Sequence, residues 1–190
     1  MGSAAELIDL PRHLRVARLT PRVLREFLKL AYSTPMPDPY ERPISALSPH
    51  LFVSDGAAAI EFYKKAFNAE ELTRHAAPDG KRLMHAALLV NGVTLMLSDD
   101  FPEYRGGKSS TPQALGGSPV VLHLQVAEAD PLFNQAVAAG ATVAMPLMYQ
   151  FWGDRYGQIV DPFGHTWSIG AKIRNLSEAE IAEAAKASFR

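Results

Sequence analysis

The first candidates for a chemical role in this chain are three histidines, which are singled out by their residue type and spacing. His50 and His123 stand 73 residues apart (123 − 50) in two similar stretches, and His85 lies between them. An imidazole can bind a metal ion or transfer a proton near neutral pH. A buried histidine is also commonly satisfied by a single hydrogen bond without any metal. His50 and His123 could thus face each other across a shared cavity, either as functional groups or as ordinary cavity-lining residues.

The second candidate is an aromatic segment that contains Phe151, Trp152, Arg155 and Tyr156. Flat rings bury a large area and stack on planar ligands. A charged pair such as Asp154 and Arg155 beside them would orient a polar ligand, whereas a solvated surface ion pair would contribute little. Core packing explains the rings equally well, because tryptophan is mostly buried in proteins. Both interpretations stay open at this point.

The elements that must position these residues occur twice. His50-Leu51-Phe52-Val53 returns as His123-Leu124-Gln125-Val126, and the glycine turn of 91–97 returns at 163–169. Each copy predicts a strand, a helix, and then strands that close through a glycine turn. Two copies indicate a duplicated module and not a solenoid, which needs about three or more repeats.

The first copy predicts one helix and four strands. Asp55 is a plausible helix cap, and Asn91-Gly92 is the strongest short-range hairpin signal. The predicted elements are a strand at 49–53, a helix at 55–68, a strand at 71–75, and a hairpin of 85–90 with 93–97.

The second copy predicts the same order of elements after a long loop at 99–117. Loops of this length inside a compact domain are usually functional or disordered. The predicted elements are a strand at 120–126, a helix at 130–139, a short strand at 142–145, and a pairing of 156–160 with 166–169.

Both ends of the chain predict appendages to this domain. Thr20-Pro21 is a typical helix start for a short amphipathic helix to about Tyr32, followed by a proline-rich linker at 33–43. Ser177 and Glu180 form a capping box for a C-terminal helix. The predicted divisions are an arm, helix and linker (1–43), a domain (44–172, with modules at about 44–100 and 118–172), and a C-terminal helix (173–190).

Composition excludes several classes of function. The net charge of −1 gives no support to a nucleic-acid or anionic-membrane partner, whose footprint is a basic patch. The chain contains no cysteine, so disulfides and thiolate metal chemistry are excluded. No apolar run approaches the roughly 20 residues of a membrane helix. The first residues lack the features of a secretory signal, and we expect a cytoplasmic protein.

The duplicated pattern resembles the glyoxalase/bleomycin-resistance/extradiol-dioxygenase superfamily, also called the vicinal oxygen chelate proteins, and within it the PhnB-like branch. The resemblance covers about residues 44–172. It implies an α+β fold in which two βαβββ modules form curved mixed sheets around a cavity. It also implies a homodimer, because superfamily members commonly pair modules between chains. The residues that carry it are 49–51, 59–63, 85–86, 95–99, 150–157 and 161–167.

The resemblance also implies where a metal ion would be held. Metal-using members carry a histidine in the first strand of each module and a carboxylate in the last, and these positions correspond to Ser48, Val121, Met96 and Ser168 here. None of the four is a histidine or a carboxylate, and thioether and hydroxyl groups bind borderline divalent ions poorly. We therefore predict no catalytic metal. A site of three imidazoles with zinc, nickel, manganese or iron is the alternative.

Three hypotheses of function follow from the sequence. The first is a protein that binds a small planar or polar organic ligand, such as a drug or metabolite, between its sheets. The second is a lyase, isomerase or dioxygenase of the same superfamily, metal-dependent or metal-free. The third is a structural or partner-binding role of residues 1–43. The predicted ligand-binding residues are His50, His85, His123, Phe151, Trp152, Arg155 and Tyr156.

Overall fold

The computed structural model describes residues 47–188 of the 190-residue chain. The arm, helix and linker predicted for residues 1–43 lie outside the described residues. Within the described part, no helix is long and apolar enough to cross a membrane.

The first module forms a four-stranded mixed sheet in the order β1-β4-β3-β2. Strand β1 runs parallel to β4, and the other neighbouring strands are antiparallel. A short 3-10 helix (Pro102–Tyr104) and helix α2 (Pro112–Leu115) follow this module. Its elements are β1 (His50–Val53), α1 (Gly56–Phe67), β2 (Glu70–Ala76), β3 (Leu83–Val90) and β4 (Val93–Asp99).

The second module repeats this arrangement in the order β5-β8-β7-β6, and helix α4 (Glu178–Ser188) follows it. Strand β5 again runs parallel to β8. The predicted α+β fold of two βαβββ modules with a C-terminal helix is therefore confirmed. The elements are β5 (Val121–Gln125), α3 (Ala129–Ala138), β6 (Thr142–Tyr149), β7 (Asp154–Val160) and β8 (Thr166–Lys172).

The predicted helix caps and the predicted tight turn are present in the structure. The side chain of Asp55 accepts a hydrogen bond from the Ala58 amide at 2.9 Å and caps α1. Asn91 and Gly92 both adopt positive φ, which the tight turn between β3 and β4 requires. Ser177 and Glu180 exchange backbone-to-side-chain hydrogen bonds of 2.8 and 3.3 Å, so the capping box of α4 is formed.

Strand β6 is longer than the sequence predicted. The predicted strand covers 142–145, yet β6 continues through Pro146 to Tyr149. Proline removes a backbone donor, but β6 is the edge strand of its sheet, where such a loss is tolerated. The register also shifts between Met145 and Met148, so the proline falls within an irregularity of the ladder.

The core joins the two modules through aromatic rings. Tyr63 and Phe67 of α1 pack on Trp167 of β8, with ring centroids 5.6 and 4.6 Å apart. Phe62 contacts Phe163 of the β7–β8 turn at 6.2 Å. All five rings are buried. The helix of the first module therefore shares a core with the sheet of the second.

Asp161 holds the polar groups of this core. Its Oδ2 accepts hydrogen bonds from the Tyr63 hydroxyl at 2.8 Å and the Trp167 indole at 3.0 Å. Its Oδ1 accepts from the backbone amides of Phe163 and His165, both at 2.9 Å. Burial, followed by the neighbouring Asp161 carboxylate, raises the pKa of Tyr63 well above its ordinary value, so the phenol remains a donor.

Two further hydrogen bonds connect the modules in a reciprocal way. The Nε2 of His165 lies 3.1 Å from the Phe52 carbonyl, which can only accept, so this nitrogen carries the proton. Asn91 Nδ2 donates to the Gln125 carbonyl at 3.0 Å. In each case the turn before a module's last strand is bonded to the first strand of the other module. This pairing fixes β1 and β5 relative to each other.

We expect that Tyr63→Phe lowers the free energy of unfolding by about 2 kcal/mol, because a hydrogen bond to a buried charged group is lost. Chemical denaturation followed by circular dichroism measures the change. Tyr104→Phe is the matched control, because Tyr104 is 83% exposed. Equal effects of the two substitutions would contradict the role given to the Tyr63–Asp161 contact.

Candidate ligand-binding site

Each sheet has a face that α1 or α3 covers and a face that points away from the helices, which we call the helix-distal face. Side chains alternate between the faces along a strand. In β1, Leu51 and Val53 are buried under the helix, so His50 lies on the helix-distal face. In β5, Leu124 is buried, and His123 and Gln125 are exposed. The first-strand histidines of both modules therefore lie on helix-distal faces.

On the first sheet, four rings and one guanidinium form a row. His50 lies 5.3 Å from Phe52 and 6.0 Å from His85, between ring centroids. His85 lies 6.0 Å from His75, its partner on β2. At the other end, the guanidinium carbon of Arg105 lies 3.8 Å from the centre of the Phe52 ring. His75 and Arg105 are thus neighbours that the sequence prediction did not include.

The groups in this row that can carry a positive charge lie close together. Burial lowers the pKa of His50, and the nearby His85 and Arg105 lower it further. Asp100 supplies a nearby negative charge, with one carboxylate oxygen 3.0 Å from Arg105 Nη1. His50 Nε2 also lies 3.4 Å from the Ser98 hydroxyl of β4.

On the second sheet, His123 has polar partners on both sides of its ring. Its Nδ1 lies 2.9 Å from the Ser168 hydroxyl, and its Nε2 lies 3.0 Å from the Gln125 side-chain oxygen. The Gln125 oxygen accepts, so Nε2 carries the proton and Nδ1 accepts from Ser168 when the ring is neutral. The ring stacks on Tyr156, with centroids 6.1 Å apart and an angle of 23°. His123 is therefore held in one orientation.

The aromatic row continues from Tyr156 into the β6–β7 turn. Trp152 meets Tyr156 edge-on at 5.6 Å, and Phe151 meets Trp152 edge-on at 4.9 Å. The Trp152 indole donates to the Asp154 carboxylate at 3.2 Å. A Cβ on Gly170 would approach His123 to 3.0 Å. Glycine at this position thus leaves room for the rings above the strand.

Arg155 lies on the opposite side of β7 from this row. Its guanidinium donates to both oxygens of Asp130 on α3, at 2.7 and 3.0 Å, and to the Leu147 carbonyl at 3.1 Å. These hydrogen bonds hold the pKa of Asp130 below its ordinary value. Period-two alternation places Arg155 away from its neighbour Tyr156, so it does not join the aromatic row.

The structure thus sorts the seven predicted site residues into three places. His50 and His85 lie together on the first sheet, and Arg155 lies on the helix side of the second. Within residues 47–188, the ring contacts of His50 go to Phe52 and His85, and those of His123 go to Tyr156. The remaining four, His123, Phe151, Trp152 and Tyr156, form one row on the second sheet.

An apolar cavity of about 420 Å³ lies between β5 and the β3–β4 hairpin. Leu95, Leu122, Leu124 and Trp167 line it, and His123 lies at its edge. Its residues come from both modules, and no local sequence pattern brings them together. Sequence reasoning therefore could not have found it.

The residues at the family's metal positions do not fit a metal ion. Met96 stands beside His50 in the ladder of β1 and β4, and Ser168 stands beside His123 in that of β5 and β8. A thioether and a hydroxyl thus occupy the places where a carboxylate would complete a divalent-metal site. Within residues 47–188, no group of three or more His, Cys, Asp or Glu side chains is placed to hold a metal ion.

Comparison with known families assigns the chain. Residues 44–169 match the model of the glyoxalase/bleomycin resistance protein/dioxygenase superfamily. The chain belongs to this superfamily. An uncharacterized protein of Mycobacterium tuberculosis (strain ATCC 25618 / H37Rv) is 57% identical over 136 residues, which are 72% of this chain and 79% of that protein. The family resemblance predicted from sequence is therefore confirmed.

Two solved structures share the fold of this chain. The crystal structure of TioX from Micromonospora sp. ML1 covers 67% of this chain and 98% of its own, with 26% identity and a TM-score of 0.52. A PhnB protein from Bacillus cereus covers 66% and 98%, with 19% identity and a TM-score of 0.51. At 19% identity, the second likeness shows a shared fold.

We expect His50 to titrate below the ordinary histidine pKa of about 6.5, because burial and two positive neighbours disfavour its charged form. Arg105→Gln removes one of those charges and raises the pKa of His50. Histidine NMR signals followed against pH measure this change.

Arg82→Gln is the matched control, because Arg82 also lies over an aromatic ring, that of Phe101 at 4.2 Å, but its charge does not lower the pKa of His50. If Arg105→Gln leaves the pKa of His50 unchanged, the charge of Arg105 does not lower that pKa.

Proposed function

We propose that the protein binds a small, planar organic ligand against the helix-distal face of its second sheet. The observation that carries this proposal is the row of rings formed by His123, Tyr156, Trp152 and Phe151. Tyr156 and Trp152 are half-buried, so the row is packed at its base while part of its surface remains exposed. A ligand with a flat ring would gain stacking contacts there.

Polar groups beside the row would orient such a ligand. The Gln158 amide donates to the Tyr156 hydroxyl at 2.8 Å, which leaves the phenol proton free to donate elsewhere. Gln125 holds the proton on His123 Nε2. Lys172 pairs with Asp154 at 3.3 Å near the indole of Trp152. A few placed donors and acceptors around an aromatic surface are typical of small-molecule sites.

The side chains at the expected metal-ligand positions favour a binding protein over a metal-dependent lyase, isomerase or dioxygenase. Met96 and Ser168 stand where the metal-using relatives carry carboxylates. Two imidazoles without a carboxylate do not make the ligand sets common in catalytic zinc sites.

We expect Trp152→Ala to weaken binding of a planar ligand by about 1–3 kcal/mol through lost stacking. The chain contains two tryptophans, and Trp167 is 2% exposed, so quenching by an added planar aromatic compound reports on Trp152. Calorimetry then compares the affinities of the variants.

Tyr149→Ala is the matched control, because Tyr149 is exposed at the end of β6 and contacts Arg155 instead of the row. Unchanged affinity in Trp152→Ala, together with a lowered melting temperature, would assign Trp152 to packing and overturn the proposal.

We further propose that two copies of the chain pair as a homodimer. Exposed apolar side chains on and beside the sheets include Met84, Val121 and Met148, at 52%, 46% and 49%. Strands β2 and β6 are edge strands, and exposed edges and apolar surface favour a partner. The site would then be enclosed by the second copy, which would exclude water from the bound ligand.

We expect sedimentation equilibrium to give about twice the monomer mass of 20.7 kDa at micromolar concentration. Val121→Asp introduces a charge at the exposed start of β5 and should shift the population towards monomer. A protein that stays monomeric throughout this concentration range would contradict the homodimer.

A further inference from the structure

A second site is indicated by groups that the aromatic row does not use. These groups are His50, His75, His85 and Arg105 on the helix-distal face of the first sheet. From this cluster we infer an oxyanion-binding site that takes the carboxylate, phosphate or sulfate group of a small molecule. The inference does not depend on the planar ligand proposed for the second sheet, because it uses no residue of that row.

The cluster offers hydrogen-bond donors that are not already used. Within residues 47–188, no hydrogen-bond partner is present for the ring nitrogens of His75 or His85. Arg105 donates from Nη1 to Asp100, and its other donors have no partner in the same described part. Structural histidines and arginines are usually paired, as His123 and Arg155 are in this chain. Unpaired donors on one face favour a ligand that accepts.

The spacing of the cluster suits an oxyanion. His85 lies between His50 and His75, with centroids 6.0 Å from each, so a group placed between two rings can accept from both. Thr73, two residues before His75 on the same face of β2, has a solvent-shielded hydroxyl without a partner in residues 47–188. Arg105 is held over Phe52, which fixes the position of the guanidinium. Imidazole, hydroxyl and guanidinium groups all donate to anions.

The net charge of the cluster determines how anion binding depends on pH. Asp100 is the carboxylate that pairs with Arg105, so the three histidines decide the net charge. They face one another from β1, β2 and β3. An anion stabilises protonated imidazole, so anion affinity rises as pH falls through the histidine range. Without an anion, burial together with His85 and Arg105 disfavours the charged form of His50.

Sulfate is the most direct probe, because its charge stays constant between pH 5.5 and 8. We expect its affinity for the full-length chain, measured by calorimetry and histidine NMR, to be about tenfold or more higher at pH 5.5 than at pH 8. The His50 signal should move to higher pKa in the presence of sulfate, because a bound anion offsets the positive neighbours that lower it. Acetate and inorganic phosphate, tested at pH 5.5, distinguish carboxylate from phosphate as the preferred group.

Arg105→Gln and His85→Gln should each weaken sulfate binding at pH 5.5 by about tenfold. Arg105→Lys keeps the charge and should restore part of the affinity. Arg82→Gln is the matched control, since Arg82 pairs with Asp79 and Glu103 over the Phe101 ring and donates to the Asp100 carbonyl, and none of these contacts involves a histidine.

Equal sulfate affinity in Arg105→Gln and Arg82→Gln would overturn the inference. Zinc binding that His85→Gln abolishes and Arg105→Gln leaves unchanged would also overturn it, in favour of a cation site. If the full-length chain binds sulfate but binds no planar ligand, only the function proposed for the second sheet is rejected.

Discussion

The contact between Tyr63 and Asp161 is the interaction on which the rest of the structure depends. The buried Asp161 carboxylate accepts a hydrogen bond from a hydroxyl on the helix of the first module. The same carboxylate accepts hydrogen bonds from two backbone amides of the β7–β8 turn of the second module. A buried charge is tolerated only when its hydrogen bonds are satisfied, and Asp161 accepts four. The same turn carries His165, whose ring is bonded to β1. The placement of the two sheets therefore follows from this network.

The duplicated modules use one architecture for two different surfaces. In both, the helix side of the sheet carries the buried core, while the helix-distal sides differ in their side chains. The first module places imidazoles and a guanidinium there, and the second places aromatic rings flanked by amides. This difference suits a ligand, or two ligands, with a charged part and a flat part. Strands carry the histidines and Tyr156, whereas Arg105 comes from a loop and Phe151 and Trp152 from the β6–β7 turn.

Much of this arrangement could be predicted from the sequence. The strand period placed His50 and His123 on the same kind of face, and caps and turn residues gave most of the boundaries. Arg155 was placed with the aromatic segment by proximity in sequence, although alternation along β7 separates it from Tyr156. His75 and Arg105 were missed, because His75 reaches His85 only through strand pairing and Arg105 belongs to a loop. The cavity beside β5 was missed because its walls come from both modules.

We propose that ligands bind on the helix-distal faces and not in the apolar cavity between the modules. A crystal structure of the protein with a planar aromatic acid that quenches its fluorescence distinguishes the two locations. We expect density for the ring against Trp152 and Tyr156. Density enclosed by Leu95, Leu122 and Leu124, with the aromatic row unoccupied, would contradict it.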